Sequence, residues 1–406
     1  MTKRNGAWAL FSLVLVLFLD GLGQGIIYPV LANALGSSHV HVLVAHASTY
    51  ERNILYGTSM AVFFFCWFFG AVLLGDLSDG IGRKKALVIV LVGMALGNLL
   101  SALAFIVHSI TLVFLGRIVV GFTAGSQAIA QAAIVDIGDP SQQARNTGLI
   151  LAGVTIGLVV GPVLGGVLSN PQFVSWFSDA TPLYFTALLA VLNILLLLFL
   201  FQETFEVKHK PNIRLTRAIT AYLEGLKHKE IRPLVGTFAM VQFGWTTFYL
   251  GMPLYVIQIA HQTRNGISLY MAVLGIGLSL GAMVFCNWCE KLFASNKWVT
   301  FWGYTLMLFG VLLTLLVANW YVKLAGGFVV ALACAVAYVF MIKVMSAHAS
   351  KDKQGWVMGL QNSTMVLATG CSSLVIGLTS AGGIMTPYVI GVVVTMLGCV
   401  ALAFSK

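Results

Sequence analysis

Charge is scarce in this chain. Only 9% of its 406 residues are Asp, Glu, Lys or Arg, while 59% are hydrophobic. Soluble domains carry roughly 25% charged residues, so the side chains needed to coat a water-exposed globule are missing. With a mean hydropathy of +0.93, the main solvent is expected to be lipid. Cysteine is also sparse. The six thiols (Cys66, Cys286, Cys289, Cys334, Cys371 and Cys399) all fall in apolar runs, which gives no disulfide framework and suits small apolar fillers. Cys286-x-x-Cys289 is half of a metal or redox motif without its second half. No nucleotide-binding loop G-x-x-x-x-G-K-[ST], metal-ligand helix pair or soluble domain is found, which argues against an enzyme or receptor and implies no cofactor and no metal.

What the chain has in abundance is long apolar runs. A membrane-crossing helix needs about 20 mostly apolar residues. That ruler gives twelve spans, near 7–34, 54–75, 86–108, 110–134, 147–169, 182–202, 232–259, 268–289, 298–318, 320–343, 355–378 and 384–404. The basic leader at residues 1–6 runs straight into the first span with no small-x-small cleavage site, as expected of an uncleaved helix. The largest polar stretch, residues 203–232, falls between spans 6 and 7. The chain therefore divides into a six-helix bundle over 1–202, a linker over 203–231 and a second six-helix bundle over 232–406. Residues 216–229 suit either an amphipathic surface helix or a plain solvated linker.

Basic residues set the orientation, because Lys and Arg favour the cytoplasmic side. With the N-terminus inside, nineteen of the 23 basic residues fall in cytoplasmic segments, and only Arg52, Arg264 and Lys323 lie outside. Arg117 alone falls within a span. Both termini are then cytoplasmic, and the net charge of +10 reads as membrane topology rather than nucleic-acid binding. The halves repeat weakly: Gly148 to Pro162 in span 5 has the same spacing as Gly359 to Ser373 in span 11. Paired six-helix halves are a known transporter plan.

Between spans 2 and 3 the chain reads Gly75-Asp76-Leu77-Ser78-Asp79-Gly80-Ile81-Gly82-Arg83-Lys84-Lys85. Gly80 and Gly82 permit a tight reversal, and Asp79 can cap the next helix or pair with Arg83. This run resembles the signature loop G-x-L-x-D-x-x-G-R-[KR]-[KR] of the major facilitator superfamily. Three further runs resemble its twelve-span drug:proton antiporter branch, which includes the tetracycline exporters. They are Asp20 to Leu31 in span 1, Arg117 to Gly125 in span 4, and Gly157-Leu158-Val159-Val160-Gly161-Pro162-Val163-Leu164-Gly165-Gly166 in span 5. The last matches G-x-x-x-G-P-x-x-G-G. The second half matches more loosely: residues 290–297 are a degenerate signature loop, and span 11 lacks the Gly-Pro pair. The resemblance implies an all-α integral membrane protein with twelve transmembrane helices in two six-helix pseudo-repeats. It implies proton-coupled efflux of a small organic molecule by a monomer in the cytoplasmic (inner) membrane. A proton-coupled importer of a metabolite would use the same fold.

Of thirteen acidic residues, only Asp20 falls deep in a span. A charged carboxylate at mid-bilayer costs about 2.5–3.5 kcal/mol on insertion scales. A group that is neutral in one state and charged in another suits proton coupling, although a fixed structural network would also hold it. Gln24 follows four residues later on the same helix face. The resemblance links Arg117 to proton translocation. Gly153, Gly157, Gly161 and Gly165 form a four-residue stripe for close helix packing, next to Pro162 and Gly166. It reads either as a pivot between the halves or as static packing. The charges around Gly75, Asp79, Gly82, Arg83 and Lys84 read as a conformational clasp between the halves. Gln24, Gln127, Gln242, Trp245, Tyr249 and Asn362 are candidate substrate contacts, since polar side chains within spans usually face the bundle interior. Thr369 and Ser373 share a face with Asn362. His39, His41 and His46 sit together in an outer loop with nothing to fix a metal geometry.

Overall fold

In a bilayer each backbone N–H and C=O must be satisfied within its own segment, and helices achieve this. The computed structural model describes residues 3–36, 43–44, 46–137, 143–203, 205, 215–348 and 354–404, and among these it holds helices and no strand. The first half comprises α1 (Lys3–Gly36), α2 (Thr49–Ile81), α3 (Arg83–Ile106), α4 (Ile110–Thr123), α5 (Ser126–Ile137), α6 (Gln143–Leu168) and α7 (Thr181–Leu200). A short α8 (Thr216–Leu226) lies in the linker. The second half comprises α9 (Arg232–Gln258), α10 (Arg264–Leu280), a π-helical turn (Gly281–Phe285), α11 (Cys286–Leu292), α12 (Asn296–Leu316), α13 (Trp320–Ala347), α14 (Gln354–Thr379) and α15 (Thr386–Phe404).

Ten stretches of the described residues are long and apolar enough to cross a membrane. Two more helices, α6 and α9, stand where spans 5 and 7 were expected, at 26 and 27 residues. With these two the described helices are consistent with twelve crossings. Span 4 is a single stretch built of α4 and α5, broken at Ala124 and Gly125. Span 8 runs from α10 through the π turn into α11. The largest change from expectation is α2. It starts at Thr49 and ends at Ile81, beyond 54–75 at both ends, so the signature loop shrinks to the single residue Gly82 between two helices.

The chain forms two compact units. Unit 1 is Met1–Ala34, His39–His46 and Val62–Ala218, and unit 2 is Leu35–Ser38, Ala47–Ala61 and Ile219–Lys406. The first part of α2 thus belongs with the second unit. There Tyr56 Oη donates to Leu250 O at 2.8 Å and Asn53 pairs with Gln258. The core of unit 1 gathers Leu13, Leu17, Leu87, Leu91, Ile129 and Leu197. In unit 2 Cys286 is packed with Val299, Val336 and Phe340, so this half of the Cys-x-x-Cys pair fills apolar space. All six cysteines are free.

Candidate functional site

The break in span 4 brings polar groups together at membrane depth inside unit 1. Helix α4 stops at Thr123, Ala124 turns at φ −79°, ψ 71°, and α5 begins at Ser126. Ser126 is fully buried, and its Oγ donates to Asp20 Oδ2 at 2.7 Å. Asp20 is buried on α1, and Gln24 one turn on also engages the carboxylate. The first N–H groups of a helix lack intrahelical partners and carry partial positive charge. The carboxylate is thereby paired with a hydroxyl at the start of a half-helix. Gln127 is the half-buried neighbour of Ser126.

Arg117 lies on α4, buried, with its guanidinium 4.1 Å from the centre of the Phe63 ring. A desolvated cation over an aromatic face is worth about 2 kcal/mol. Tyr28 and Cys66 are within its electrostatic reach. Tyr28 stands eight residues beyond Asp20 on α1, about 12 Å at the helical rise. The two charged candidates thus occupy two levels of the same unit.

What seats α1 is the glycine stripe of α6. A Cβ at Gly157 would overlap Phe18 O and come within 2.7 Å of Leu22 N. At Gly161 it would come within 2.7 Å of Leu22 O, and at Gly165 within 2.6 Å of Ile26 O. The contact is reciprocal, since a Cβ at Gly25 would lie 2.6 Å from Pro162 Cδ. Pro162 and Gly166 are buried too. The sequence left this stripe open between a pivot at the interface of the halves and static packing; the helix it receives is α1, in the same unit, along the stretch that carries Asp20.

At the other end of α2, Gly82 (φ +97°) turns the chain into α3, a conformation that glycine adopts without strain. Gly80 lies inside α2, and Gly75 has open space where a side chain would project. Arg83 is buried and bonds Asp79 at 2.5 Å, Asp136 at 3.0 Å and Ser78 at 2.9 Å. It also lies 4.5 Å from the Phe205 ring centre. The cap of α3 comes from elsewhere: Glu203, just past α7, accepts from the backbone N–H of Arg83 (2.8 Å) and of Lys84 (3.1 Å). Lys84 Nζ donates to Leu198 O at 2.7 Å, and Asp76 pairs with Arg217 on α8 at 2.5 Å. These partners all belong to unit 1. The sequence pointed to Asp79 and Arg83 but not to Glu203, which sits 120 positions away.

Unit 2 holds neutral polar groups. On α9, Gln242 and Trp245 are buried, and the Trp245 ring lies 5.3 Å from that of Tyr249. Thr246 Oγ1 and Ser372 Oγ of α14 are 2.8 Å apart. Ser373 and Thr369 turn their hydroxyls back onto their own helix, and Asn362 is half-buried. The α9–α14 contact therefore runs through Ser372, a position missed because Thr369 and Ser373 fit the same helical period. In the degenerate second-half loop, Glu290 pairs with Lys343 at 2.9 Å. His46 is exposed; His39 and His41 lie outside the described residues.

Known proteins agree with this architecture. The chain is 30% identical over 64% of its length to the class C tetracycline resistance protein of Escherichia coli, an alignment that spans 65% of that protein. It is 25% identical over 94% of its length to the class B protein of the same organism, covering 87% of it. It is 24% identical to the quinolone resistance protein NorA of Staphylococcus aureus, over 82% of each chain. Among solved structures, a bacterial homologue of the human lysosomal transporter Spinster superposes with a TM-score of 0.75 at 16% identity, over 99% of this chain and 92% of that one. The human organic anion transporter MFSD10 gives 0.69 at 17%, over 98% and 99%; at such identities the fold alone is shared. The Major Facilitator Superfamily pattern matches residues 10–263 and again 234–406, so the chain belongs to that superfamily.

Proposed function

We propose that this protein is a transporter that exports a small organic molecule in exchange for protons, by alternating access, with Asp20 as the coupling carboxylate. The observation that carries the reading is Asp20 itself: a carboxylate buried in a membrane-spanning helix, held by Ser126 at the start of α5. Charged, Asp20 is stabilised by the Ser126 hydroxyl and by the positive end of α5. Protonated, it loses that attraction, and α1 no longer gains from its position against α5. A ligand shifts a two-state equilibrium only through its differential affinity for the states, and here the proton is that ligand. Arg117, on α4, keeps a fixed positive charge at a second level of the same unit. On α9 the Trp245–Tyr249 pair and Gln242, with Asn362 on α14, offer flat apolar faces and amide donors to an organic molecule.

The resistance functions in the names of the relatives support export and make tetracycline and a quinolone the first probes. The strong bias of Lys and Arg to one side supports a cytoplasmic-membrane protein with both termini inside, and we take the working unit to be one chain. In everted membrane vesicles energised by a pH gradient, the parent should accumulate one of the probes and Asp20→Asn should not. Accumulation by Asp20→Asn at the parental rate would remove Asp20 from the coupling step.

A further inference from the structure

We propose that a cavity beside Lys323 in the second unit binds a small amphipathic organic anion. The sequence puts Lys323 on the outer side, at the start of the span expected over 320–343; it lies in the first turn of α13 and is 6% exposed. Its Nζ donates to Tyr255 Oη at 2.6 Å and to Thr314 O at 3.0 Å, and lies 4.9 Å from the Tyr255 ring centre. Both acceptors are neutral. An ammonium has three N–H donors and no acceptor, so one donor remains.

The setting adds to the imbalance. A cation is disfavoured at the N-terminal end of a helix, where the macrodipole is positive, and Lys323 is in the first turn of α13. Among the described residues, no carboxylate is a partner of Lys323 or lines the cavity next to it. That cavity has a volume of about 380 Å³ and is lined by Lys323, Tyr255, Ile259, Leu316, Trp320 and Met385, among others. Ligand pockets run from roughly 300 Å³ upward, mostly apolar with a few convergent polar groups. A carboxylate on the free donor of Lys323 would neutralise the buried charge, and an aromatic body would lie against Trp320, Leu316 and Ile259. The whole site belongs to unit 2 and is independent of Asp20.

The test uses the full-length protein in phosphatidylcholine nanodiscs, with 1-naphthoate and its neutral counterpart 1-naphthamide followed by calorimetry. Naphthoate should bind at least roughly tenfold more tightly than the amide, the usual weight of a charge-assisted hydrogen bond. Lys323→Met should reduce naphthoate to the level of the amide. Leu316 is 76% exposed at the cavity, so Leu316→Trp should block the space without disturbing the fold, and it provides the test if Lys323→Met does not fold. Equal binding of the two probes, no naphthoate binding at millimolar concentration, or unchanged binding in both variants would overturn the proposal. Displacement of naphthoate by added phosphatidylglycerol would also overturn it, giving the site to a lipid headgroup.

Discussion

The interiors of the two units differ in kind. Unit 1 keeps ionisable groups at membrane depth, Asp20 on Ser126 and Arg117 over Phe63, and places α1 on a bare glycine face that leaves no room for side chains. Among the described residues, unit 2 has no acidic residue at comparable depth; it offers Gln242, the Trp245–Tyr249 pair and the Thr246–Ser372 contact. Its buried cations, Arg52 and Lys323, both sit near the starts of helices. The contrast suggests a division of labour. Groups that change charge need a rigid, closely packed support, so that a proton alters packing rather than being absorbed by local adjustment. Groups that accept varied molecules need flat apolar surfaces and neutral donors.

The largest effects should separate the two roles. Asp20→Asn should reduce proton-driven accumulation to the level of vesicles without the protein, while leaving probe affinity nearly unchanged. Trp245→Ala should do the reverse, weakening binding roughly tenfold through lost stacking of about 1.4 kcal/mol while the remaining transport stays proton-dependent. If Asp20→Asn instead abolishes binding, or Trp245→Ala uncouples protons, the division of labour fails.

Next comes the support beneath Asp20. Gly157→Leu and Gly161→Leu should push α1 away between Phe18 and Ile26, separating Asp20 from Ser126, so transport should fall further than folded yield. Gly148→Leu on the same helix is the control, because Gly148 is exposed and nothing lies within 4 Å of the added Cβ. Equal transport by all three variants would reduce the stripe to incidental packing.

How much of this was legible beforehand follows from the physics. The all-helical membrane architecture was readable because lipid demands runs of about 20 apolar residues, and Asp20 stood out because acidic residues are costly there. The break at Ala124 and Gly125 was not visible, since hydropathy stays high across it and a glycine within a helix pattern has several meanings. Glu203 was hidden by distance along the chain: a carboxylate that caps a helix 120 positions away leaves no local pattern. Lys323 was counted on the outer side because only Ala318, Asn319 and Trp320 part the ninth and tenth apolar runs, and nothing there marks a buried ammonium. Burial, unlike hydropathy, depends on neighbours the sequence does not name.

The loop cluster allows a finer comparison within unit 1. Arg83 is buried and serves Asp79, Asp136 and Ser78, so Arg83→Ala leaves the mostly buried Asp136 carboxylate without its cation. Breaking a buried pair costs roughly 3 kcal/mol. The Arg217 side chain is 55% exposed, and its pair with Asp76 should contribute less than about 1 kcal/mol. Thermal unfolding of Arg83→Ala and Arg217→Ala should therefore differ clearly, with Arg83→Ala the less stable. Equal melting of the two would mean that the buried guanidinium adds nothing beyond topology.

The smallest effect should lie in unit 2, at the Thr246–Ser372 contact. Each hydroxyl also has a carbonyl of its own helix in reach, Gln242 O at 2.7 Å from Thr246 Oγ1 and Thr369 O at 2.9 Å from Ser372 Oγ, so the one that does not donate across the interface donates there. Neither is stranded when its partner across the interface is removed. Interhelical hydrogen bonds in membranes average about 0.6 kcal/mol in double-mutant cycles, because the unfolded helix in lipid also finds partners. Thr246→Val, Ser372→Ala and the double variant should therefore close a cycle with a coupling of about that size, read from unfolding in detergent. A coupling of about 2 kcal/mol or more would mean that α9 and α14 are locked together by this pair. That would contradict the view that unit 2 keeps its polar groups adaptable for ligands, whereas a small value fits a helix contact that can slide while its hydroxyls remain satisfied.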